Sequence, residues 1–265
     1  MVAKFFIPTS YDEALKLKKE HGERAKYLAG GTELNTRVNK PYYDVLIDVG
    51  HLNSKEISWN SDKSEISIGA GVEFQELVTN EDVPHQLRKA AGHMSTINVR
   101  NMATIGGNIG AGSTVGDLLP TLMTLEARLK LFDIQELVTV EAYIENKLDY
   151  LIDAVVITKE NLDKKYDSIA YRRVSSDFTI IGAAATYNKT GDIFTDIRIA
   201  VGGMGPKVKR VPKVEQELEG KQLTKEFVMK AMRDNVKTRS SILRGTAAFR
   251  EYMAAEMVAE SLGLI

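Results

Sequence analysis

The 265-residue chain contains no cysteine. Disulfides, thiolate metal sites, cysteine nucleophiles and iron–sulfur clusters held by this polypeptide are therefore excluded, and any redox chemistry must come from a bound cofactor. Surplus charge is missing too. Its 35 basic and 36 acidic side chains give a formal net charge of −1, leaving no basic excess to displace counterions from a nucleic acid. No apolar run approaches the roughly eighteen residues of a bilayer span. The opening apolar stretch, Met1–Ile7, is stopped by Pro8, too early for a signal peptide. A cytoplasmic protein without membrane or nucleic-acid partners is expected. The histidines, His21, His51, His85 and His93, lack metal-ligand spacing, and no G-x-S-x-G nucleophile elbow occurs.

What is present is globular material, with 43% hydrophobic and 27% charged residues, which argues against disorder. Lys4–Ile7 reads as a strand, and Ser10 with Glu13 as a reciprocal capping box opening a helix over Asp12–Glu20. Strands are expected at Ala25–Ala29 and, after Pro41, at Asp44–Val49. Alternation of Ile57 with Trp59 and of Ile66 with Ile68 marks a hairpin, Glu56–Trp59 and Glu65–Gly69. Helices follow at Glu73–Thr79 and Pro84–Ala91, then a strong apolar helix at Asp117–Ala127, then strands at Leu129–Phe132 and Leu151–Ile157. Asn161–Lys165 reads as a polar connector and a domain boundary. Beyond it, strands Thr179–Tyr187 and Ile193–Val201 flank a turn at Asn188–Asp192. Helices near Lys213–Leu218, Lys225–Asn235 and Thr246–Leu262 close the chain. Strands and helices mix without regular alternation, so the class is α+β.

Two glycine-rich stretches carry the chemistry. In the first, a strand runs into Leu28-Ala29-Gly30-Gly31-Thr32-Glu33-Leu34, where bare backbone amides can cradle a pyrophosphate or simply make a tight turn. In the second, Thr104-Ile105-Gly106-Gly107-Asn108-Ile109-Gly110-Ala111-Gly112, glycines strip β-carbons from the backbone while Thr104 and Asn108 add hydrogen-bonding capacity. The helix that follows would point its amino end at an anion, and Asp117 in its first turn would cap it or accept from ribose hydroxyls. Neither stretch has the Rossmann order or the Walker lysine. A third run, Gly202-Gly203-Met204-Gly205-Pro206, reads as a turn.

Ala29–Leu34 together with Arg100-Asn101-Met102-Ala103-Thr104-Ile105-Gly106-Gly107-Asn108-Ile109 resembles the FAD-binding medium subunit of molybdenum hydroxylases, the family of xanthine dehydrogenases, aldehyde oxidoreductases and aerobic carbon monoxide dehydrogenases. Asp117-Leu118-Leu119-Pro120, Ile199–Pro206 and Arg244–Arg250 extend the resemblance, in order, over nearly the whole chain. It implies a two-lobed FAD-binding domain of the PCMH type over 1–160, with lobes of about 1–54 and 55–160. A smaller α+β C-terminal domain would occupy 166–265.

The resemblance implies non-covalent FAD. The loop Leu28, Ala29, Gly30, Gly31, Thr32, Glu33, Leu34 would hold its pyrophosphate. Thr104, Gly106, Gly107, Asn108 and Ala111 would line a second side, Asp117 would meet the ribose, and Leu151 would pack on a ring. Met94 stands where relatives often place an aromatic residue. Arg172 stands where they carry a lysine near the flavin, and reads otherwise as a surface arginine on a strand. The compact Phe132–Leu151 segment leaves no room for the long loops of large xanthine dehydrogenases. Electrons would arrive from iron–sulfur clusters on a small subunit, fed by a molybdenum cofactor on a large one, and leave for NAD or another acceptor. The short chain is similar to purine- or xanthine-associated members, with aldehyde as a further substrate class. A stand-alone flavin oxidoreductase of enolpyruvyl-sugar reductase type, or a scaffold that has lost FAD, are the competing readings.

Overall fold

The computed structural model describes residues 2–36 and 43–264; Pro41 lies outside them. β1 (Lys4–Phe6) leads into α1 (Tyr11–His21). The Ser10 hydroxyl accepts from the Glu13 amide at 3.2 Å. The other half of the expected capping box is shifted by one residue. Glu13 Oε2 accepts from both the amide and the hydroxyl of Thr9, at 2.7 and 2.9 Å, two donors where Ser10 offers one. β2 (Ala25–Leu28) and β3 (Val45–Asp48) complete a three-stranded parallel sheet in the order β1-β3-β2. Its small core gathers Ala14, Ala25, Val45, Ile47 and Val49, with Leu151 from farther along the chain.

The second lobe carries β4 (Ile57–Trp59), β5 (Glu65–Gly69), α2 (Phe74–Thr79), α3 (His85–Gly92), α4 (Ile97–Arg100), α5 (Ile105–Ala111), α6 (Leu119–Thr124), β6 (Arg128–Leu131), β7 (Ile134–Thr139), α7 (Val140–Glu145) and β8 (Ile152–Thr158). The strands form an antiparallel sheet ordered β4-β5-β8-β6-β7. Pro84 is the N-cap of α3, one position before the expected first turn. The strong helix expected over Asp117–Ala127 shrinks to α6. Leu118 occupies its N-cap position, and Glu126, at φ 50°, adopts a left-handed conformation that ends any continuation. β6 is the strand expected at Leu129–Phe132, one residue earlier; the compact segment between it and Leu151 adds β7, which pairs with β6 as a hairpin, and α7, neither of them expected from the sequence.

The remaining elements are α8 (Lys159–Leu162), β9 (Lys165–Tyr171), β10 (Ile181–Thr190), β11 (Ile193–Gly202), β12 (Lys209–Arg210), α9 (Pro212–Leu218), β13 (Lys221–Gln222), α10 (Lys225–Asn235) and α11 (Ala247–Ser261). Their sheet runs β12-β11-β10-β9, with β13 also on β11. Asn161–Lys165 is not a solvated connector. Leu162 and Lys164 are buried, and Lys164 pairs with Asp196 at 2.5 Å. The β10–β11 turn tightens to Gly191-Asp192, because Gly191 takes φ 58° and the strands pair through Thr190 and Ile193.

α10 and α11 cover one face of this sheet over an apolar core of Ile181, Phe194, Ile199, Val228 and Met257. The other face meets α6, and Ala200 and Val208 join the second lobe's core. The third glycine run seals that seam. The Gly203 amide donates to Thr114 O at 2.6 Å, and a β-carbon on Gly203 would fall 2.0 Å from Ile180 O. Among the described residues no helix is long and apolar enough to cross a membrane.

Candidate cofactor site

A cavity opens where the two N-terminal lobes meet the loop between β9 and β10. It encloses about 1470 Å³, counting its open mouth, and its lining runs from the turn after β2 to the β9–β10 loop, as an extended ligand would need. Every site residue named from the sequence lines it except Leu28 and Arg172. Leu28 ends β2 and supports the glycine turn from behind, its carbonyl accepting from Val49 N at 2.8 Å.

The first wall is the turn after β2. A β-carbon on Gly30 would sit 1.6 Å from the Met102 carbonyl oxygen, and Gly31 holds φ 69°, so neither position accepts a side chain without rearrangement. Among the described residues the amides of Gly30, Gly31 and Thr32 have no acceptor. Three successive open donors at a cavity wall form a nest for an anion.

The second wall corrects the sequence reading. Ile105–Ala111, a glycine-rich stretch to which no element was assigned, is a helix. Thr104 caps it through Oγ1, which accepts from Gly107 N at 3.0 Å, and left-handed Gly112 ends it at φ 54°. Ile105 and Ile109, one turn apart, anchor its inner face. Gly106 lets it lie on Ala70, where an added β-carbon would come within 2.7 Å of the Ala70 β-carbon. The face carrying Gly107, Asn108, Gly110 and Ala111 lines the cavity, and a β-carbon on Gly110 would meet nothing within 4 Å. The first amides of α5 are already engaged, Ile105 with Val72 O and Gly106 with Ala70 O, each at 3.0 Å. What α5 offers a ligand is bare surface. Replacing Thr104 by alanine should cost roughly 1 kcal/mol through loss of the cap, with serine restoring it; urea denaturation of the cofactor-free chain measures both.

The helix after the glycines starts later than expected. α6 begins between Leu118 and Leu119, both fully buried. Asp117 is therefore not its cap. Its carboxylate accepts from the Thr179 hydroxyl at 2.5 Å, and Arg172 Nη2 lies 4.0 Å from the same oxygen. Burial pushes the carboxyl up to about 6, while the Thr179 bond and the Arg172 charge pull it down. Arg172 follows β9 rather than lying on it, and donates to Ser175 O at 3.4 Å. It reaches the cavity through Asp117.

Met94 is buried in the wall, and its carbonyl accepts from Arg100 Nη1 at 2.9 Å. Arg100 also donates to Gln75 Oε1 at 2.9 Å, so the arginine of the sequence string braces the wall from outside. Leu151 belongs at once to the first lobe's core and to the cavity lining. Asn53, Tyr143, Asp149 and the Ser176–Phe178 segment also line the cavity, and no local pattern marks them. Asn53 lies in an irregular turn after β3, and Tyr143 lies on α7, which went unread.

Two observations test whether the residues present fit a polar dinucleotide. Asn108 Oδ1 and Asn53 Oδ1 are buried and find no hydrogen-bond partner among the described residues. Such an acceptor is costly unless something satisfies it. Both residues line the cavity, as the open amides do. Apolar lining, open donors and orphaned acceptors together fit an extended molecule with a phosphate centre and hydroxyl- and amide-bearing ends.

Comparison with known proteins assigns the class. Residues 1–157 match the family described as FAD binding domain in molybdopterin dehydrogenase, and residues 167–263 match the CO dehydrogenase flavoprotein C-terminal domain. The chain belongs to this family of FAD-binding oxidoreductase flavoproteins. It is 30% identical over 264 residues to the protein YgfM of Escherichia coli K12, covering 98% of this chain and 95% of that one. It is 25% identical to the nicotine 6-hydroxylase medium subunit of Paenarthrobacter nicotinovorans, over 98% of this chain and 95% of that protein. Among solved structures, carbon monoxide dehydrogenase from Hydrogenophaga pseudoflava superimposes with a TM-score of 0.86 at 26% identity, over 99% of this chain and 96% of that one.

Proposed function

We propose that the chain is the electron-transfer flavin subunit of a cytoplasmic molybdenum hydroxylase, assembled with a molybdenum-binding large subunit and an iron–sulfur small subunit. The observation that carries this reading is the pairing of the open Gly30–Thr32 amides with the bare face of α5 and its orphaned Asn108 acceptor. FAD, when bound, supplies the ability to take electrons from the partner clusters and release them to NAD or another acceptor. The protein's part is positional and electrostatic. Gly30, Gly31 and Thr32 would hold the pyrophosphate through backbone donors, and Asn108 and Asn53 would accept from polar edges. Asp117, ionised above about pH 6, would accept from a sugar hydroxyl, with Arg172 neutralising it from behind. Xanthine, another purine or an aldehyde would be oxidised on the large subunit. We place the division between the flavin-binding and C-terminal domains at residues 161–165.

Purified from cells or refilled with FAD, the chain should be yellow, with flavin absorbance and one FAD per chain after gel filtration. A colourless protein that leaves the fluorescence of added FAD unchanged would overturn the proposal. Anaerobic addition of NADH then tests the acceptor, since bleaching of the flavin band supports NAD and an unchanged band excludes it.

A further inference from the structure

Against the β9–β10 loop, the C-terminal lobe raises an apolar turn into solvent. Ser241 and Gly245 exchange two backbone hydrogen bonds of 2.9 Å, with Gly245 at φ 98°, and this closed turn presents Ile242 and Leu243 at its tip. Ile242 is 102% exposed and Leu243 77%. Arg173 donates to the Leu243 carbonyl, which ties the turn to the β9–β10 loop. That loop exposes Val174 and Phe178, and Phe178 also lines the cavity. The apolar tip is thus held in place next to the cofactor site. Single exposed apolar residues need no explanation, but a braced pair with further apolar neighbours does.

Four arginines stand around the tip without a carboxylate partner. Arg173, Arg239, Arg244 and Arg250 form no ion pair with any acid among the described residues. Arg250 is only 4% exposed. Its Nη1 donates to Arg239 O at 2.7 Å, yet its Nε has no acceptor. Burial first, and then the neighbouring Arg244 charge, push the Arg250 guanidinium below its ordinary value; burial alone does the same to Arg244. α11 starts immediately afterwards at Ala247, adding the positive end of a 15-residue helix. A buried cation is ordinarily paired. Glu251, the acid beside Arg250 in sequence, is taken by the Thr238 amide at 3.0 Å and by Lys237 at 3.6 Å, so carboxylates for these guanidinium groups are best supplied from outside the chain.

We propose that the Ser241–Gly245 turn and its arginines are the docking surface for a different subunit, one that presents carboxylates around an apolar socket. This rests on the chain being a component of a larger oxidoreductase. A second copy of the chain is disfavoured by symmetry, because a two-fold contact through this patch would set arginine against arginine. A small anion would satisfy the guanidinium groups and leave Ile242 and Leu243 in water. Arginine beside an exposed aliphatic anchor is the composition of an interface centre, where a few residues dominate affinity.

The test uses the full chain co-expressed with the molybdenum and iron–sulfur subunits, and compares wild type with the pairs Ile242→Asp with Leu243→Asp and Arg239→Glu with Arg244→Glu. Each pair should weaken assembly by at least about 30-fold, with the arginine pair also flattening its salt dependence, while FAD content of the isolated chain stays at the wild-type level. Assembly at unchanged affinity in both pairs would overturn the docking surface, as would a wild-type self-association that the same substitutions abolish. If wild-type chain holds FAD but joins neither subunit, the docking proposal falls and the flavoprotein reading stands. If it assembles through this turn but takes up no FAD, the converse holds.

Discussion

Gly110→Leu is expected to yield a folded protein that no longer retains FAD. A β-carbon at this position meets nothing within 4 Å, and the position lines the cavity, so the new side chain enters ligand space without striking protein. Gly110 lies inside α5 and is not among the positive-φ glycines. Leucine there should therefore stabilise the cofactor-free chain by roughly 0.5–1 kcal/mol through helix propensity. FAD affinity should fall by at least about 100-fold, since a branched side chain and the cofactor cannot share the same surface. Gly30→Ala is the contrasting control. Its β-carbon would lie 1.6 Å from Met102 O, so both folding stability and cofactor binding should suffer. Equilibrium titration followed by fluorescence, with thermal melting of the apoprotein, separates the two. Normal FAD content in Gly110→Leu would remove α5 from the cofactor site.

Asp117→Asn should strengthen the cofactor-free fold and weaken the cofactor complex. In the folded chain burial raises this carboxyl from its ordinary 3.8 to about 6, with Thr179 and Arg172 acting in the opposite direction. Between those two values the folded chain keeps a proton that the unfolded chain has released, so stability falls as pH rises through that window. Above about 6 the penalty is complete, on the order of 3 kcal/mol. The neutral amide avoids it. At pH 7.5 the variant's melting temperature should rise by several degrees; at pH 4, where both forms are largely neutral, the difference should nearly vanish. FAD binding should weaken by about 10-fold or more through loss of a charged acceptor. Thr179→Val should move the acid limb of FAD binding toward neutral pH, because the hydroxyl that favours the ionised form is gone, and Thr179→Ser should restore it. Equal stabilisation of Asp117→Asn at both pH values would show that the carboxyl is not held in its neutral form by burial.

Local patterns carried much of this architecture. The Ser10 cap and the alternation in Ile66 and Ile68 operate within a few residues, and they placed α1 and β5 closely. The two glycine strings could also be read, because a missing β-carbon at Gly30 or Gly106 answers to a close approach that nothing larger allows. The conformation of the second string could not be read. Glycine disfavours helix, and α5 exists because Thr104, Gly112 and the buried Ile105–Ile109 pair overrule it. Asp117 was misplaced for a related reason. Its environment comes from Thr179 and Arg172, more than fifty residues away, and sequence spacing holds no trace of such contacts. The arginines near the Ser241–Gly245 turn look like ordinary solvated charge until burial shows that Arg250 has lost its water.

Gly30 and Met102 bring the backbones of the first and second lobes into direct contact beside the cavity. With no side chain between them, that contact is a mechanical stop. The lobes can swing about it but cannot draw closer, so the cleft keeps a minimum width whether or not a ligand is inside. A gap gauged by bare backbone does not depend on rotamers or on repacking of the core.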